Sequence, residues 1–379
     1  MKVPFYDYSR MYRNEKEQVE SKILDILHRS DFILRSDLNE FENSMSEYLG
    51  VPYVIGVGNG TDAIWLALMS SDINQDDEVI IPSHTYIATA DAIKVLGATP
   101  VLVDCQDDHS IDVQAVEDAI SGKTKAVIAV NLNGHACDLE SLHKVTNRHK
   151  IVLIEDNAQG LGAKLNGKYA GTFGASSTLS FFPAKNLGCY GDGGAVVTSN
   201  EDIFERVLRL RNHGRDREGN VSSWGLNSRL DNLQAGILNI KLKYLNESIL
   251  IRRQLAQLYV DGLSDIEEVK LPTSPRDTSK FFDSFQNFEI EVQDRENLRD
   301  HLKNNGIETS LPWAGKAIHQ FNLPGVKCRD LTKTEKLFKK VLLLPMNQYL
   351  TKAEAFEVVL SIRSFYKHKE IDLSQIENK

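Results

Sequence analysis

Ile151-Val152-Leu153-Ile154-Glu155-Asp156-Asn157-Ala158-Gln159 sets how the rest of the chain is read. Four apolar residues in a row, with no polar alternation, describe a strand covered on both faces. It ends in two carboxylates, at the strand edge where open α/β sheets place their ligands. Similar short runs recur on either side: Tyr53–Val57, Glu78–Pro82, Pro100–Asp104, Ala126–Asn131, Thr178–Phe182 and Ala195–Thr198. Helical patterns lie between them at Asp62–Met69, Thr89–Leu96, Val113–Ile120 and Leu139–His149. This alternation predicts an α/β domain whose mostly parallel, seven-stranded sheet ends near residue 200.

Outward from that domain, Val19, Ile23, Ile26 and Leu27 recur at helical spacing, so residues from Asn14 to about Ser30 form an amphipathic helix. A long helical stretch from Asp231 to about Leu263 leads out of the large domain. Beyond it, strand-like Phe285–Val292 and Val341–Leu344 mix with helix-like Arg295–Asn304 and Lys352–Tyr366. The expected division is a large domain over residues 1–245 and a smaller α+β domain over 246–379.

The formal net charge is −9 and the sequence pI is about 5.6, which argues against a nucleic-acid or anionic-membrane binder. One pocket can still be cationic on an acidic protein. Cys105, Cys137, Cys189 and Cys328 are scattered, with no Cys-x-x-Cys pair, so metal binding is not expected and reduced thiols are. Met1–Arg10 lacks a signal-peptide core and no stretch approaches membrane-spanning length, so the expectation is a soluble cytoplasmic protein.

Four segments carry chemistry. Gly56-Val57-Gly58-Asn59-Gly60-Thr61-Asp62 follows a strand and opens a helix. Its glycines permit a tight turn, its helix-start N–H groups can hold a phosphate, and Thr61 adds a hydroxyl. An ordinary turn capped by Thr61 or Asp62 fits the same residues. Asp156 can pair with a ring nitrogen and keep it protonated, strengthening a pyridine cofactor as an electron sink. Glu155 reads as structural, capping the next helix. Lys185 sits between a buried strand and the glycine-rich turn Gly191-Asp192-Gly193-Gly194, in a dry setting that favours a free amine and a Schiff base with an aldehyde. Ser180 precedes it by five residues and can donate to the same phosphate. In Pro82-Ser83-His84-Thr85-Tyr86, Tyr86 can stack on a flat ring, while His84 reads as structural or as support behind the site.

In order, GNGTDA (58–63), PSHTYIAT (82–89), IEDNAQ (154–159) and SFFPAKNLG (180–188) with GDGG (191–194) resemble the signatures of the DegT-type nucleotide-sugar aminotransferases. These are fold-type I pyridoxal-phosphate enzymes, and the resemblance runs from about residue 15 to 245 with weaker traces beyond. It implies pyridoxal 5'-phosphate as cofactor, with Lys185 as its covalent anchor, Asp156 as its pyridinium partner and Tyr86 stacked on its ring. It further implies Gln159 beside the ring oxygen, and Gly60, Thr61 and Ser180 on the phosphate. Trp224–Asp231 is similar to a family motif whose Asn, here Asn227, reaches the neighbouring subunit's phosphate, implying a homodimer with shared sites.

The implied reaction moves an amino group from glutamate to a nucleotide-linked keto-sugar. Asn131–Gly134 and Leu311–His319 depart from the family pattern outside the cofactor set, and so bear on which sugar is bound. Trp313 and His319, together with His84, Arg215 and Arg229, are candidate substrate contacts, the arginines for a nucleotide diphosphate. GDGG and GLNSRLDNLQA (225–235) lean toward amination at C3 of an NDP-3-keto-6-deoxyhexose; C4 enzymes more often carry GEGG and a Tyr in place of Ser228. The related dehydratase branch replaces the lysine by histidine, which Lys185 argues against. A nicotinamide dehydrogenase needs Gly-x-Gly-x-x-Gly, and Gly56–Thr61 breaks that spacing at its last position. A non-catalytic, cofactor-binding regulator is the remaining alternative.

Overall fold

The computed structural model describes residues 2–369 and 371. Seven strands build the large sheet: β1 (Tyr53–Val57), β2 (Glu78–Pro82), β3 (Thr99–Val103), β4 (Thr124–Val130), β5 (Val152–Asp156), β6 (Ser176–Ser180) and β7 (Gly194–Thr198). Their order is β1-β7-β6-β5-β4-β2-β3, and Lys327–Cys328 adds an eighth, parallel strand at the β3 edge. Only β7 runs against its neighbours. The eighth strand escapes a hydropathy reading because it is two residues long, polar and exposed.

Both faces of the sheet are covered, which is why its strands read as continuous apolar runs. Val79, Ile81, Ile128 and Ile154 pack against Ile64, Leu68 and Ile93 of the helices α3 (Gly60–Ser70) and α4 (Ile87–Val95). Ile80, Val127, Ala129 and Leu153 face the other way, onto Leu139 and Leu142. Strands β4 and β6 begin earlier than apolarity predicts because Thr124, Ser176 and Ser177 are buried polar residues of the ladder. The Ser177 hydroxyl, for example, donates to the Gly171 carbonyl at 2.6 Å. The stretch expected as one helix from Asp231 is two, Asn232–Leu242 and Leu245–Leu263, with a break that no Gly or Pro marks.

A second, antiparallel sheet has the order Val269–Lys270, Phe288–Val292, Val341–Leu344. It shares a core with the helices Leu245–Leu263, Arg295–Asn304 and Lys352–Phe365, and Val3 joins that core from the far end of the chain. Among the described residues, no helix is long and apolar enough to cross a membrane.

Three histidines from the large-sheet loops meet carboxylates of the 283–291 segment. His109 contacts Glu289 at 2.7 Å and Glu291 at 3.2 Å, His135 lies 2.8 Å from Asp283 and 3.7 Å from Asp108, and His84 is 3.6 Å from Glu289. Burial opposes charge on His109, but Glu289 and Glu291 outweigh it and raise its pKa from 6.5 to about 9. The same opposition, won by Asp108 and Asp283, raises His135 to about 10. Because both folded pKa values lie above the unfolded one, this stabilisation is complete below pH 6.5 and is lost as pH rises through 9–10. The thermal midpoint should therefore fall between those limits, and fall less steeply in a His109→Gln, His135→Gln double variant. Equal slopes would show that the clasp carries no such linkage.

Candidate active site

Strands β1, β2, β4, β5 and β6 all end on one edge of the sheet, an edge that includes the point between β2 and β4 where the strand order reverses. The turns leaving those ends surround a cavity of about 740 Å³. Eight of the residues singled out from sequence line it: Gly60, Thr61, Tyr86, Asp156, Gln159, Ser180, Lys185 and Trp313. Asp62, Leu132, Phe182 and Asp192 line it as well; of these, Asp192 was visible in sequence only as part of a turn.

The glycine-rich turn begins α3 at Gly60, and its cap is Asn59, whose Oδ1 accepts the Asp62 N–H at 2.8 Å. This corrects the expected cap at Thr61 or Asp62: Asn59 is the last extended residue before the helix, and its side chain makes the capping bond. The first N–H groups of α3 have no carbonyl of their own helix to bond. A Cβ on Gly60 would lie 2.8 Å from the Ser180 Cβ, so only glycine lets α3 approach the end of β6 this closely. Helix start, Thr61 hydroxyl and Ser180 hydroxyl thus converge as a cradle suited to a phosphate.

Asp156 is buried at the end of β5. Its Oδ2 accepts from the Thr89 hydroxyl at 2.9 Å and its Oδ1 from the Ala158 N–H at 3.2 Å, fixing the carboxylate plane. Burial pushes its pKa up, with those donors and the Lys185 charge working against it. A cationic group in the cavity would favour the charged carboxylate further. Lys185 follows β6, and desolvation lowers its pKa from 10.5 to about 8 despite the pull of Asp156. The amine is therefore substantially neutral, and nucleophilic, in mildly alkaline solution.

Glu155, beside Asp156, is structural but does not cap a helix, because none follows β5. It accepts the N–H groups of Gly171, Phe173 and Gly174 at 2.6, 2.7 and 2.9 Å and pins that turn. Gln159 accepts the Asn133 N–H at 2.8 Å, which fixes the turn after β4 beside the cavity. The half-exposed Tyr86 ring lies 5.6 Å from that of Trp313.

The other five candidates do not line this cavity. His84 is buried behind it, its ring 6.4 Å from that of Trp313. His319 holds the Ser83 hydroxyl at 2.7 Å through Nδ1. Asn227 bridges to Asn212, Arg215 bridges to Val221, and Arg229 donates to the Asn212 Oδ1 at 3.2 Å.

An amine poised for carbonyl addition, a fixed buried carboxylate, an aromatic ring and a phosphate cradle share one space. This set fits a flat, phosphorylated pyridine aldehyde, in which each group has one partner. The chain is similar to proteins already known. It is 35% identical over 375 residues to dTDP-3-amino-3,4,6-trideoxy-alpha-D-glucose transaminase of Streptomyces venezuelae, covering 96% of each chain. It is 36% identical over 371 residues to a pleiotropic regulatory protein of Geobacillus stearothermophilus, covering 97% of this chain and all of that one. A solved structure of ntda from Bacillus subtilis with bound cofactor PMP superposes with a TM-score of 0.88 at 30% identity, covering 97% of this chain and 86% of that one. The family model described as DegT/DnrJ/EryC1/StrS aminotransferase matches residues 13–363, and the chain belongs to that family.

Proposed function

We propose that this protein uses pyridoxal phosphate to move the amino group of glutamate onto C3 of a nucleotide-linked keto-sugar, an NDP-3-keto-6-deoxyhexose. The observation that carries the reading is the meeting of Lys185, Asp156 and the Gly60–Thr61–Ser180 cradle in one cavity. When bound there, the cofactor supplies an electron sink for negative charge at the reacting carbon. Lys185 would anchor it covalently, and the Lys185 amine, once free, would take a proton from the donor carbon and later return one to the sugar carbon. Asp156 would keep its ring nitrogen charged, with Tyr86 to cover the ring and Gln159 beside the ring oxygen.

Amination at C3 draws support from Ser228. Its buried hydroxyl donates to Asp62 Oδ2 at 2.7 Å and accepts the Gly58 N–H at 3.0 Å, at the position where C4 enzymes more often carry a tyrosine. Glutamate supplied with an NDP-3-keto-sugar should release 2-oxoglutarate and give a C3 amine identifiable by NMR. Turnover of the 4-keto isomer alone would move the assignment to C4. A purely regulatory role draws on relatives' names, the Geobacillus protein's among them, and the complete lysine, carboxylate and cradle set favours catalysis.

The cavity lining itself speaks for a dimer. Among the described residues, Asp62, Asp156 and Asp192 face it with Lys185 as their only cationic companion, while the cofactor phosphate, glutamate and a nucleotide diphosphate are all anionic. A second copy would bring the missing donors, with Asn227, Arg215 and Arg229 as this chain's contribution to its neighbour. Their segment also carries Trp224, 94% exposed, and Val221, 68% exposed, apolar surface that calls for cover. Trp224→Glu should shift the protein to monomer in light scattering and lower cofactor retention at least tenfold. An intact dimer in that variant would place the interface elsewhere.

A further inference from the structure

The turn Leu311-Pro312-Trp313-Ala314-Gly315 is a strap between the two sheets. On one side Ser310 exchanges backbone bonds with Leu343 at 2.9 and 3.2 Å. On the other, the Ile318 N–H donates to the Ser83 carbonyl at 3.1 Å, just past the end of β2. At the apex, Trp313 (φ 52°) and Ala314 (φ 57°) are both left-handed, followed by Gly315 at φ 81°. Two adjacent non-glycine residues in that region are strained, and such strain persists only where the surroundings dictate the conformation. Its effect is to place the indole in the cavity wall.

The indole is held from behind as well. It packs on the cluster of Cys105, Ala317, Leu337, Phe338 and Val341. His84 lies across it at 66°, and is itself fixed edge-on to Phe338 at 5.0 Å and paired with the buried Glu289. Trp313 Nε1 is buried with no partner, so the surface turned to the cavity is aromatic carbon. Tyr86, Phe182 and Leu132 continue this apolar lining. Four of the polar groups around it are committed within the protein: Asn59 to Asp62, Asp62 to Ser228, Thr85 to Thr89, Gln159 to Asn133. A bulky polar substituent brought against the Trp313, Phe182 and Leu132 part of the wall would lose water to carbon surface, which a site of fixed shape rejects strongly.

We propose that Trp313 is the residue that selects the acceptor, admitting keto-sugars with a hydrogen or hydroxyl beside the reacting carbon and excluding those with an acetamido group there. The inference rests on the aminotransferase reading above and deepens it by naming the sugar class. Strain and backing make Trp313 a rigid wall rather than an adaptable one. His84 acts through it as a positioning residue.

The reverse half-reaction tests this with stable reagents. Matched nucleotide amino-sugars, with the amine at C3 or at C4, would differ only in a neighbouring hydroxyl or acetamido group. Each is added to the cofactor-loaded protein, and decay of the visible absorption gives the rate. Wild type should convert a hydroxyl probe at least tenfold faster than its acetamido counterpart. Trp313→Ala should cut that ratio at least tenfold, and Trp313→Phe should restore most of it. Equal wild-type rates on a matched pair, or preference for the acetamido probe, would overturn the proposal without any variant. So would an unchanged ratio in Trp313→Ala. The wild-type response to glutamate, recorded separately, tests the aminotransferase reading itself, so the two failures are distinguishable.

Discussion

Lys185→Ala should abolish the visible absorption of the cofactor-loaded protein and lower transamination by about 10⁴-fold or more. Two losses combine in this one change. The covalent anchor disappears, so the cofactor is held only by the cradle, by Asp156 and by ring contacts. The base that moves the proton disappears with it, and nothing else in the lining replaces it: Asp62, Asp156 and Asp192 are carboxylates with other partners or positions. The fold should survive, because the desolvated amine contributes little to stability and the Lys185 N–H still donates to the Phe182 carbonyl at 2.8 Å. Unfolding curves identical to wild type would confirm that chemistry alone was removed. Partial rescue by added small primary amines would assign the loss to the missing base. A variant with more than a tenth of wild-type turnover would refute the role given to Lys185.

Asp156→Asn should lower turnover by about 10²–10³-fold while leaving the lysine-bound absorption visible, though shifted. The asparagine is nearly isosteric and its hydrogen bonds can be rearranged. Its oxygen can accept the Ala158 N–H, and its amide can donate to the Thr89 hydroxyl, which already shares a 3.0 Å contact with Thr85. What changes is charge. Without a carboxylate 5% exposed at the end of β5, the ring nitrogen loses the partner that keeps it protonated. Asp156→Glu would keep the charge but overfill a tightly packed strand end, so it should lose cofactor affinity as well as rate. Reverting the asparagine to aspartate should restore rate and spectrum together, which assigns the effect to this carboxylate. Unaltered turnover in Asp156→Asn would contradict the pyridinium role.

The main sheet was legible because its strands are buried on both sides and so appear as unbroken apolar runs. The cavity lining was legible for a related reason: Lys185, Asp156 and the 56–62 turn each sit at or just after the end of such a run, at the edge where parallel strands end. What sequence concealed was contact between distant segments. Glu289 meets His109 across 180 residues and His84 across still more, and neither spacing nor composition announces it. Glu155 resembles a helix cap until the 171–174 turn is seen folded onto it. Trp313 stood out in sequence only as a substrate candidate in a loop that departs from the family pattern; the left-handed pair at 313–314 shows how the loop is bent to present it. Lys327–Cys328 joins the large sheet through tertiary pairing alone, with no strand pattern of its own.

The central claim is that the cavity below α3 runs the first half of a transamination, and a single titration addresses it. The purified protein, loaded with pyridoxal phosphate, is followed by absorbance as glutamate is added. The account predicts a visible band that glutamate converts to near-ultraviolet absorption, with one 2-oxoglutarate released per site. A protein that shows no visible band when pyridoxal phosphate is supplied, or one whose band glutamate leaves unchanged, would contradict it.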